Sequence, residues 1–396
     1  LIYTYNKQLN QYEISLIIYN NCLGKAPLLN TYTVNYTSPT CGVSSTISVR
    51  QVNVEKIATT CKSIASTCDG GTSFGYRKVT YKGIFVPPAK CTDWILSWAE
   101  CNRSNQITNI VNPDQQCLYL EALINNKDAS TNSSPQFLES PPSLFCTGVT
   151  KTFNFGVFDP DTNRITYSLI TPKTGQSTTV VYKSGFSATN PVSATVPTTF
   201  SADGTFKITP SQVENSVMAL QVREFDKTGK LIGYVMRDFP IYSNTCAINS
   251  LPTLSGFNGT NDYGNLLGLT CAYQDHCFYI QAGDPDAGQK VTVSFPQSLP
   301  GMKLYDGNFN PSVPFSNNQQ NLKIGICWKP TNADLGVKKF IITVADSNCP
   351  YIGSQTYIYS LTVNPTMTIR FPFYFKEIPC GTTETITTTI SGGVPP

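Results

Sequence analysis

Cysteine is the residue type in this sequence with the most distinctive chemistry. Fourteen cysteines occur in 396 residues, and they are spaced loosely, with no CxxC pair. A zinc knuckle needs paired CxxC motifs, and a redox-active thiolate needs a basic neighbourhood, so neither fits this pattern. The cysteines therefore indicate a disulfide framework made in an oxidising place, such as the periplasm, the cell surface or the medium.

Local spacing suggests some disulfide pairs but does not decide them. The spacing suggests the pairs Cys22–Cys41, Cys61–Cys68, Cys101–Cys117 and Cys327–Cys349, with Cys146–Cys246 as a clamp across a module. Fourteen cysteines allow too many pairings for sequence to choose among them. The residues predicted to form disulfides are Cys22, Cys41, Cys61, Cys68, Cys91, Cys101, Cys117, Cys146, Cys246, Cys271, Cys277, Cys327 and Cys349.

Two acidic motifs have the spacing of a cation-binding loop. Asp-Pro-Asp occurs twice, and hard oxygen ligands at alternate positions suit Ca²⁺, which takes six to eight oxygens. A plain turn before a strand is the favoured alternative, because Asp and Pro are common turn residues. The candidate calcium ligands are Asp159, Asp161, Asn163, Asp226, Asp284, Asp286 and Asp346.

Acid–base catalysis has little support in this sequence. His276 is the single histidine, and its neighbour Cys277 would face the opposite side of a strand. No HExxH helix or P-loop occurs. We therefore expect no enzyme, no catalytic residue and no cofactor other than calcium.

The aromatic residues allow two interpretations. Trp94, Trp98 and Trp328, with 21 Tyr and 21 Phe, could form a platform on which sugar rings stack. Core packing is the favoured alternative, because aromatic side chains bury large areas. No ligand-binding residue is assigned from the sequence.

Composition excludes several classes of protein. Charged residues are only 13% of the chain, about half of the usual share of roughly 25%, and the net charge is +3 without a basic run. This argues against nucleic-acid binding and against a coiled coil. The longest apolar runs, such as 14–19, are far shorter than the roughly 20 residues of a membrane span.

Alternation of apolar and polar residues dominates the chain. The runs are short, β-branched or aromatic, and bounded by turn residues; examples are 46–54, 78–86, 165–170, 218–225, 291–295 and 357–363. This pattern predicts an all-β protein of tandem immunoglobulin-like or cadherin-like β-sandwiches.

An internal repeat predicts the domain organisation. Cys146 precedes Asp159 by 13 residues, as Cys271 precedes Asp284, and Pro210 and Pro330 each lie 16 residues before an aspartate. We predict two homologous sandwiches at 135–250 and 251–366. Residues 1–134, which do not follow this template, form a separate disulfide-rich β domain, and 367–396 open a further β module.

Several motifs in order resemble the N-terminal region of large Bacteroidota surface proteins of the SprB-like gliding-motility adhesin type. They include Cys91-Thr92-Asp93-Trp94, Cys101-Asn102-Arg103, Asn132-Ser133-Ser134-Pro135, Met236-Arg237-Asp238 and Cys327-Trp328-Lys329-Pro330. The C-terminal Ser391-Gly392-Gly393-Val394-Pro395-Pro396 is similar to the opening of the repeats in these adhesins. One departure concerns Cys101-Asn102, where the family usually has adjacent cysteines, and Cys117 is an alternative partner.

The resemblance implies a cell-surface adhesin that is exported by the type IX secretion system and carried by the gliding machinery. Its expected location is extracellular and associated with the outer membrane, and its expected partners are extracellular surfaces or polysaccharide. The chain would then be an excerpt or mature form of a longer filament. Two alternatives are a carbohydrate- or protein-binding ectodomain and a non-catalytic appendage of a secreted hydrolase.

Overall fold

The structure is a computed structural model of the chain. It describes residues 1–22, 24, 28–57, 61, 63–72, 75–141, 144–246, 249–260, 266–310, 312–313, 315–366, 368–370, 385 and 389–391. These residues form two compact units. Unit 1 comprises 1–251 together with 347–353, and unit 2 comprises 252–346 together with 354–396.

The strands of unit 1 follow the predicted alternation. Their bounds are β1 Ile2–Asn6, β2 Gln11–Asn21, β3 Thr31–Ser38, β4 Val43–Ile57, β5 Tyr76–Phe85, β6 Trp94–Glu100, β7 Leu118–Ile124, β8 Gln136–Phe137, β9 Phe145–Cys146, β10 Lys151–Asn154, β11 Val157–Phe158, β12 Arg164–Ile170, β13 Ala194–Phe200, β14 Thr205–Pro210, β15 Glu214–Phe225 and β16 Leu231–Asn244. Short 3-10 helices lie at Thr67–Asp69 and Pro113–Gln115.

One large sheet dominates unit 1. Its order is β1-β2-β5-β4-β3-β6-β7-β16-β15-β12, and β9 joins it by a parallel pairing with β16. Every neighbour on the main path is antiparallel. The sheet curves enough for Tyr3 on β1 to donate a hydrogen bond to the carbonyl of Leu123 on β7 (2.9 Å).

The inner face of this sheet is rich in aromatic rings. On β2, the alternate residues Tyr12, Ile14 and Leu16 are almost fully buried, as period-two packing requires. Edge-to-face ring contacts join Phe85 to Trp94 at 5.6 Å between centroids, a geometry that adds to the stabilisation from burial alone. One buried apolar cluster runs from Leu1 to Ile241.

The structure differs from the predicted separate domain at 1–134. Strand β7 pairs with β16, so the N-terminal strands and the first sandwich share one sheet as well as one core. The predicted sandwich at 135–250 is completed by a second sheet, β10-β14-β13, and by the small β8–β11 pair. The physical reason is an edge strand: β7 carries unpaired backbone groups on one side, and β16 satisfies them.

Unit 2 is a two-sheet sandwich. Its strands are β17 Thr253–Leu254, β18 Leu267–Cys271, β19 His276–Gly283, β20 Thr292–Gln297, β21 Lys303–Asp306, β22 Asn321–Trp328, β23 Gly336–Ala345 and β24 Ser354–Asn364, with 3-10 helices at Phe257–Gly259 and Asn332–Asp334. The sheets are β17-β19-β22-β21 and β18-β24-β23-β20. A separate pair, β25 Thr368–Arg370 and β26 Thr389–Ser391, falls in the range predicted as a further module, most of which lies outside the described residues.

The internal repeat has a counterpart in strand pairing. In the first sandwich, β9 runs parallel to β16 and places Cys146 opposite Asn244. In unit 2, β18 runs parallel to β24 and places Cys271 opposite Asn364. In unit 2, β17-β19-β22-β21 correspond to strands A-B-E-D of an immunoglobulin-like or cadherin-like sandwich, and β18-β24-β23-β20 to strands A′-G-F-C. In the first sandwich, β9, β16, β15 and β12 take the places of A′, G, F and C, and β10-β14-β13 those of B-E-D. The all-β sandwich prediction is therefore confirmed.

Candidate functional site

Six disulfides join described cysteines. They are Cys22–Cys68, Cys41–Cys91, Cys61–Cys349, Cys101–Cys117, Cys146–Cys246 and Cys277–Cys327. Two of these, Cys101–Cys117 and Cys146–Cys246, are pairs that local spacing suggested. Such a network in a β-sandwich protein is consistent with an extracellular location.

The other suggested pairs, Cys22–Cys41, Cys61–Cys68 and Cys327–Cys349, do not form. Antiparallel pairing of β2 with β5 ends at Asn21 opposite Tyr76, which brings Cys22 near the turn that carries Cys68. Likewise β19 and β22 place Cys277 directly opposite Cys327. Cysteines that strand pairing brings together therefore form the bridges, rather than cysteines that are close in sequence.

The bridge Cys61–Cys349 closes the longest loop, with a sequence separation of 288. Cys349 lies in 347–353, which belongs to unit 1 although its flanking strands β23 and β24 belong to unit 2. The amide of Cys61 donates to the carbonyl of Pro350 (3.3 Å), so backbone contact accompanies the covalent bond.

Cys271, predicted to form a disulfide, is a buried free thiol with no sulfur partner among the described residues. Its counterpart Cys146 bonds to Cys246, two residues beyond Asn244. Two residues beyond Asn364 the chain has Thr366, whose hydroxyl donates to the carbonyl of Ala272 (2.7 Å). Unit 2 thus has one cysteine of the clamp, and Thr366 stands at the position of the other.

The first Asp-Pro-Asp motif is built as a turn. The Oδ1 atom of Asp159 accepts the amides of Asp161 and Asn163, both at 2.9 Å, which closes the loop before β12. Asp161 in turn accepts the amide of Ser133 (2.6 Å). Asp226 is a half-buried cap of the β15–β16 hairpin, where its Oδ1 accepts the amide of Lys230 (2.9 Å).

A second carboxyl group meets Asp159, and it belongs to Glu224, not to Asp226. Glu224 is fully buried on β15 and accepts from the side-chain amides of Asn132 (2.8 Å) and Asn163 (2.7 Å). The Oδ2 atom of Asp159 is also buried, and no hydrogen-bond donor among the described residues reaches it. Burial, followed by the charge of Asp159, raises the pKa of Glu224 to about 8.

Sequence reasoning missed Glu224, although a signal was present. On β15 the even-numbered residues Met218, Leu220 and Val222 point into the core, and Glu224 continues this series. A carboxyl group at an inward position of an apolar strand requires a partner or a proton. Here Asn132 supplies one partner, which gives the Asn-Ser-Ser-Pro motif a structural role.

Unit 2 holds a related arrangement. The Oδ1 atom of Asp284 accepts the amide of Asp286 (2.8 Å), and its Oδ2 atom is buried without a described donor. Burial, then the charges of Asp346 and Asp286, raise the pKa of Asp284. The predicted residue Asp346 therefore does lie beside the turn, and it is only 5% exposed.

The tryptophans belong to the cores. Trp94, Trp98 and Trp328 are at most 3% exposed, so the core interpretation is confirmed and these rings offer no open platform for a sugar. The indole nitrogen of Trp94 donates to Asn126 (3.1 Å). His276 is half-buried at the start of β19, and burial lowers its pKa.

A cavity of about 230 Å³ opens in unit 1. Its apolar lining includes Trp98, Ile107 and Phe239, and polar side chains such as Asn102 and Asn215 also line it. Small-ligand sites typically combine an apolar surface with a few convergent polar groups, and this cavity has that combination.

A buried ion pair forms one wall of this cavity. The guanidinium of Arg103 contacts both carboxylate oxygens of Asp238 at 3.1 and 2.6 Å, and the two side chains are 5% and 3% exposed. Arg103 also donates to the carbonyls of Cys117 and Lys173. Two motifs that are 135 residues apart, Cys101-Asn102-Arg103 and Met236-Arg237-Asp238, therefore meet here.

Comparisons with known proteins give no family. No protein-family model and no curated protein matches the chain. Among solved structures, the N-terminal four Ig domains of Dscam1 isoform 6.9 match 88% of this chain and 80% of their own at 9% identity and a TM-score of 0.25. Human Protocadherin-24 EC1-2 matches 59% of this chain and 98% of its own, with 14% identity and a TM-score of 0.18.

An endo-fucoidan hydrolase of glycoside hydrolase family 107, MfFcnA4_H294Q, also matches. It shares 12% identity over 80% of this chain at a TM-score of 0.20, and this chain spans only 39% of its length. In the described ranges, no helix has the length and apolar character needed to cross a membrane, and no three His, Cys, Asp or Glu residues are grouped to hold a metal ion.

We predict that Thr366→Cys forms a new disulfide with Cys271. The equivalent Cα–Cα distance in the first sandwich is 5.3 Å, within the range of disulfides. Closing this loop should stabilise unit 2 by about 2–4 kcal/mol. A non-reducing peptide map and thermal unfolding would measure both effects, with Thr366→Ser as the control. A Cys271 that stays alkylatable in the oxidised, denatured variant would contradict the proposed equivalence.

We predict that the stability of unit 1 falls as the pH rises from about 4.5 to about 8. The raised pKa of Glu224 means that the folded state binds this proton more tightly than the unfolded state, so the stabilisation is complete at low pH and is lost on deprotonation. Thermal midpoints measured with EDTA should show a smaller pH dependence for Glu224→Gln than for wild type. The control is Glu214→Gln, which changes another buried glutamate of β15 that is bound to Ser193. An equal dependence of the thermal midpoint on pH in wild type and Glu224→Gln would contradict the prediction.

Proposed function

We propose that this chain is a segment of a cell-surface adhesin, a very large secreted filament protein that holds surfaces during gliding motility. The observation that carries the proposal is the disulfide network, which closes the β-sandwich units covalently. Sequence motifs contribute the second line of support, because their order resembles that of SprB-like adhesins. Export by the type IX secretion system and association with the outer membrane belong to this proposal.

The mechanism is mechanical. Strands β15 and β16 pair over twelve positions, and β23 and β24 over ten, so long antiparallel ladders run through both units. Many backbone hydrogen bonds must break together when such ladders slide along their length. Bridges across and between strands restrict the unfolded chain further. A chain built in this way suits the task of transmitting force between a surface and a cell.

A binding ectodomain is the second candidate function. The cavity of about 230 Å³ supports it, because its apolar lining and polar groups fit one ring or one side chain of a ligand. Carbohydrate and protein ligands both remain within this candidate. Ile107, half-buried on the cavity lining, is the natural position at which to fill the space.

Attachment under flow tests both candidates. Beads coated with oxidised residues 1–396 should stay attached to polysaccharide-coated glass, and reduction of the disulfides should release them several-fold faster. For a filament that attaches through its wider surface, Ile107→Trp should leave attachment unchanged. For a binding ectodomain, Ile107→Trp should abolish attachment, whereas Leu9→Trp at a 64% exposed position should not.

The outcomes are distinct. Wild-type beads that never attach would contradict both candidates. Attachment that reduction does not weaken would remove the disulfide network from the mechanism. Circular dichroism of each variant checks that the fold persists, so that loss of attachment is not loss of structure.

Calcium remains a proposal, and we place it at the second Asp-Pro-Asp turn. The charges of Asp346 and Asp286 act on Asp284 there, and the buried Oδ2 of Asp284 has no described donor. Oxygen ligands of this kind suit Ca²⁺, which would supply charge neutralisation. Adding calcium at pH 7 should raise the thermal midpoint of unit 2 in wild type but not in Asp284→Asn, with Asp275→Asn as an exposed control. Equal midpoints with calcium and with EDTA would overturn the proposal.

A further inference from the structure

The six bridges divide the chain into residues that tension can reach and residues that it cannot. Tension between two points of a cross-linked chain follows the shortest covalent path. From residue 1 that path runs to Cys22, crosses to Cys68, and returns along the chain to Cys61. It then crosses to Cys349 and continues to residue 396.

We propose that Cys61–Cys349 is a covalent bypass that shields most of this chain from tension. The proposal rests on the tension-transmitting role proposed above. With the bridge closed, the path from residue 1 to residue 396 uses about 75 residue steps, whereas the reduced chain uses about 395. At the extended limit of ~3.3–3.6 Å per residue, the bridged path is ~250–270 Å long and the reduced chain ~1300–1420 Å. The whole of the first sandwich lies off the path.

The part of unit 2 on the path is suited to tension. Of the strands in its two sheets, only β24 lies between Cys349 and the C-terminal segment. A strand already rises about 3.4 Å per residue, close to the extended limit, so tension along it finds little slack. Tyr359 and Leu361 of β24 are fully buried in the core, and β18 and β23 pair with the strand on either side.

The N-terminal end of the path is different. Residues 1–22 form the β1–β2 hairpin, which pairs Ile2 with Ser15 and is not crossed by a bridge before Cys22. Pulling on residue 1 opens this hairpin one pair at a time, since the load meets each pair in turn. We therefore expect the β1–β2 pairing to yield before β24, which is paired on both sides.

Single-molecule force spectroscopy tests the bypass directly. The oxidised chain 1–396, pulled by handles fused at both ends, should reach a stretched contour of about 75 residues. The same chain in reductant should reach a contour about five times as long. Replacing both Cys61 and Cys349 by Ser should lengthen the contour to about 180 residues, because the path then runs through the remaining bridges. The matched control replaces Cys277 and Cys327 by Ser, a bridge off the path, and should leave the contour at about 75.

The experiment does not depend on correct folding of each variant. A fully stretched contour reports covalent connectivity, and a non-reducing peptide map confirms which bridges each variant holds. An oxidised wild-type contour near 180 residues, or a control that lengthens as much as the Cys61→Ser/Cys349→Ser variant, would overturn the bypass. Failure of bead attachment with a contour of about 75 would instead overturn the adhesin proposal and leave the bypass standing as a property of the chain.

Discussion

The pairing of β7 with β16 is the constraint on which unit 1 depends. Three residue pairs, from Gly233–Ile124 to Val235–Ala122, convert two sheets into one and remove an exposed edge from each. Gly233 is required here, since a Cβ atom would come within 2.5 Å of the Tyr3 hydroxyl and 3.0 Å of Glu224. The first strand of the chain, the junction of the two sheets and the buried carboxyl pair therefore all meet at Gly233.

Buried polar groups specify this arrangement more than they stabilise it. Arg103–Asp238 and Asp159–Glu224 both join segments that are far apart in sequence, and further hydrogen bonds reach Arg103 and Glu224. Removing a charge from water costs several kcal/mol, so such pairs persist where the surrounding geometry supplies hydrogen-bond partners. A strand shifted by one residue would leave these groups unpaired in the core.

The two sandwiches show how a repeated unit can diverge while its backbone is kept. The first is closed by a bridge between the A′ strand and the end of the G strand, Cys146–Cys246. The second keeps only Cys271 of that clamp and carries Cys277–Cys327 across the β19–β22 ladder instead. The equivalent cross-strand pair in the first sandwich is Thr152 opposite Lys207. Either position restricts the unfolded chain, which explains why the bridge can move without a change of fold.

Local pattern was sufficient for the fold class, because alternation, turn residues and burial of tryptophan all arise from short-range side-chain preferences and from the hydrophobic effect. The internal repeat likewise located the equivalent strands of the two sandwiches. Four of the six disulfide pairings, the merger of 1–134 with the first sandwich and the meeting of Asp159 with Glu224 could not be found in this way. Each is a contact between strands that the chain order does not make neighbours, so only the folded sheet, with its register and its closed edges, decides it.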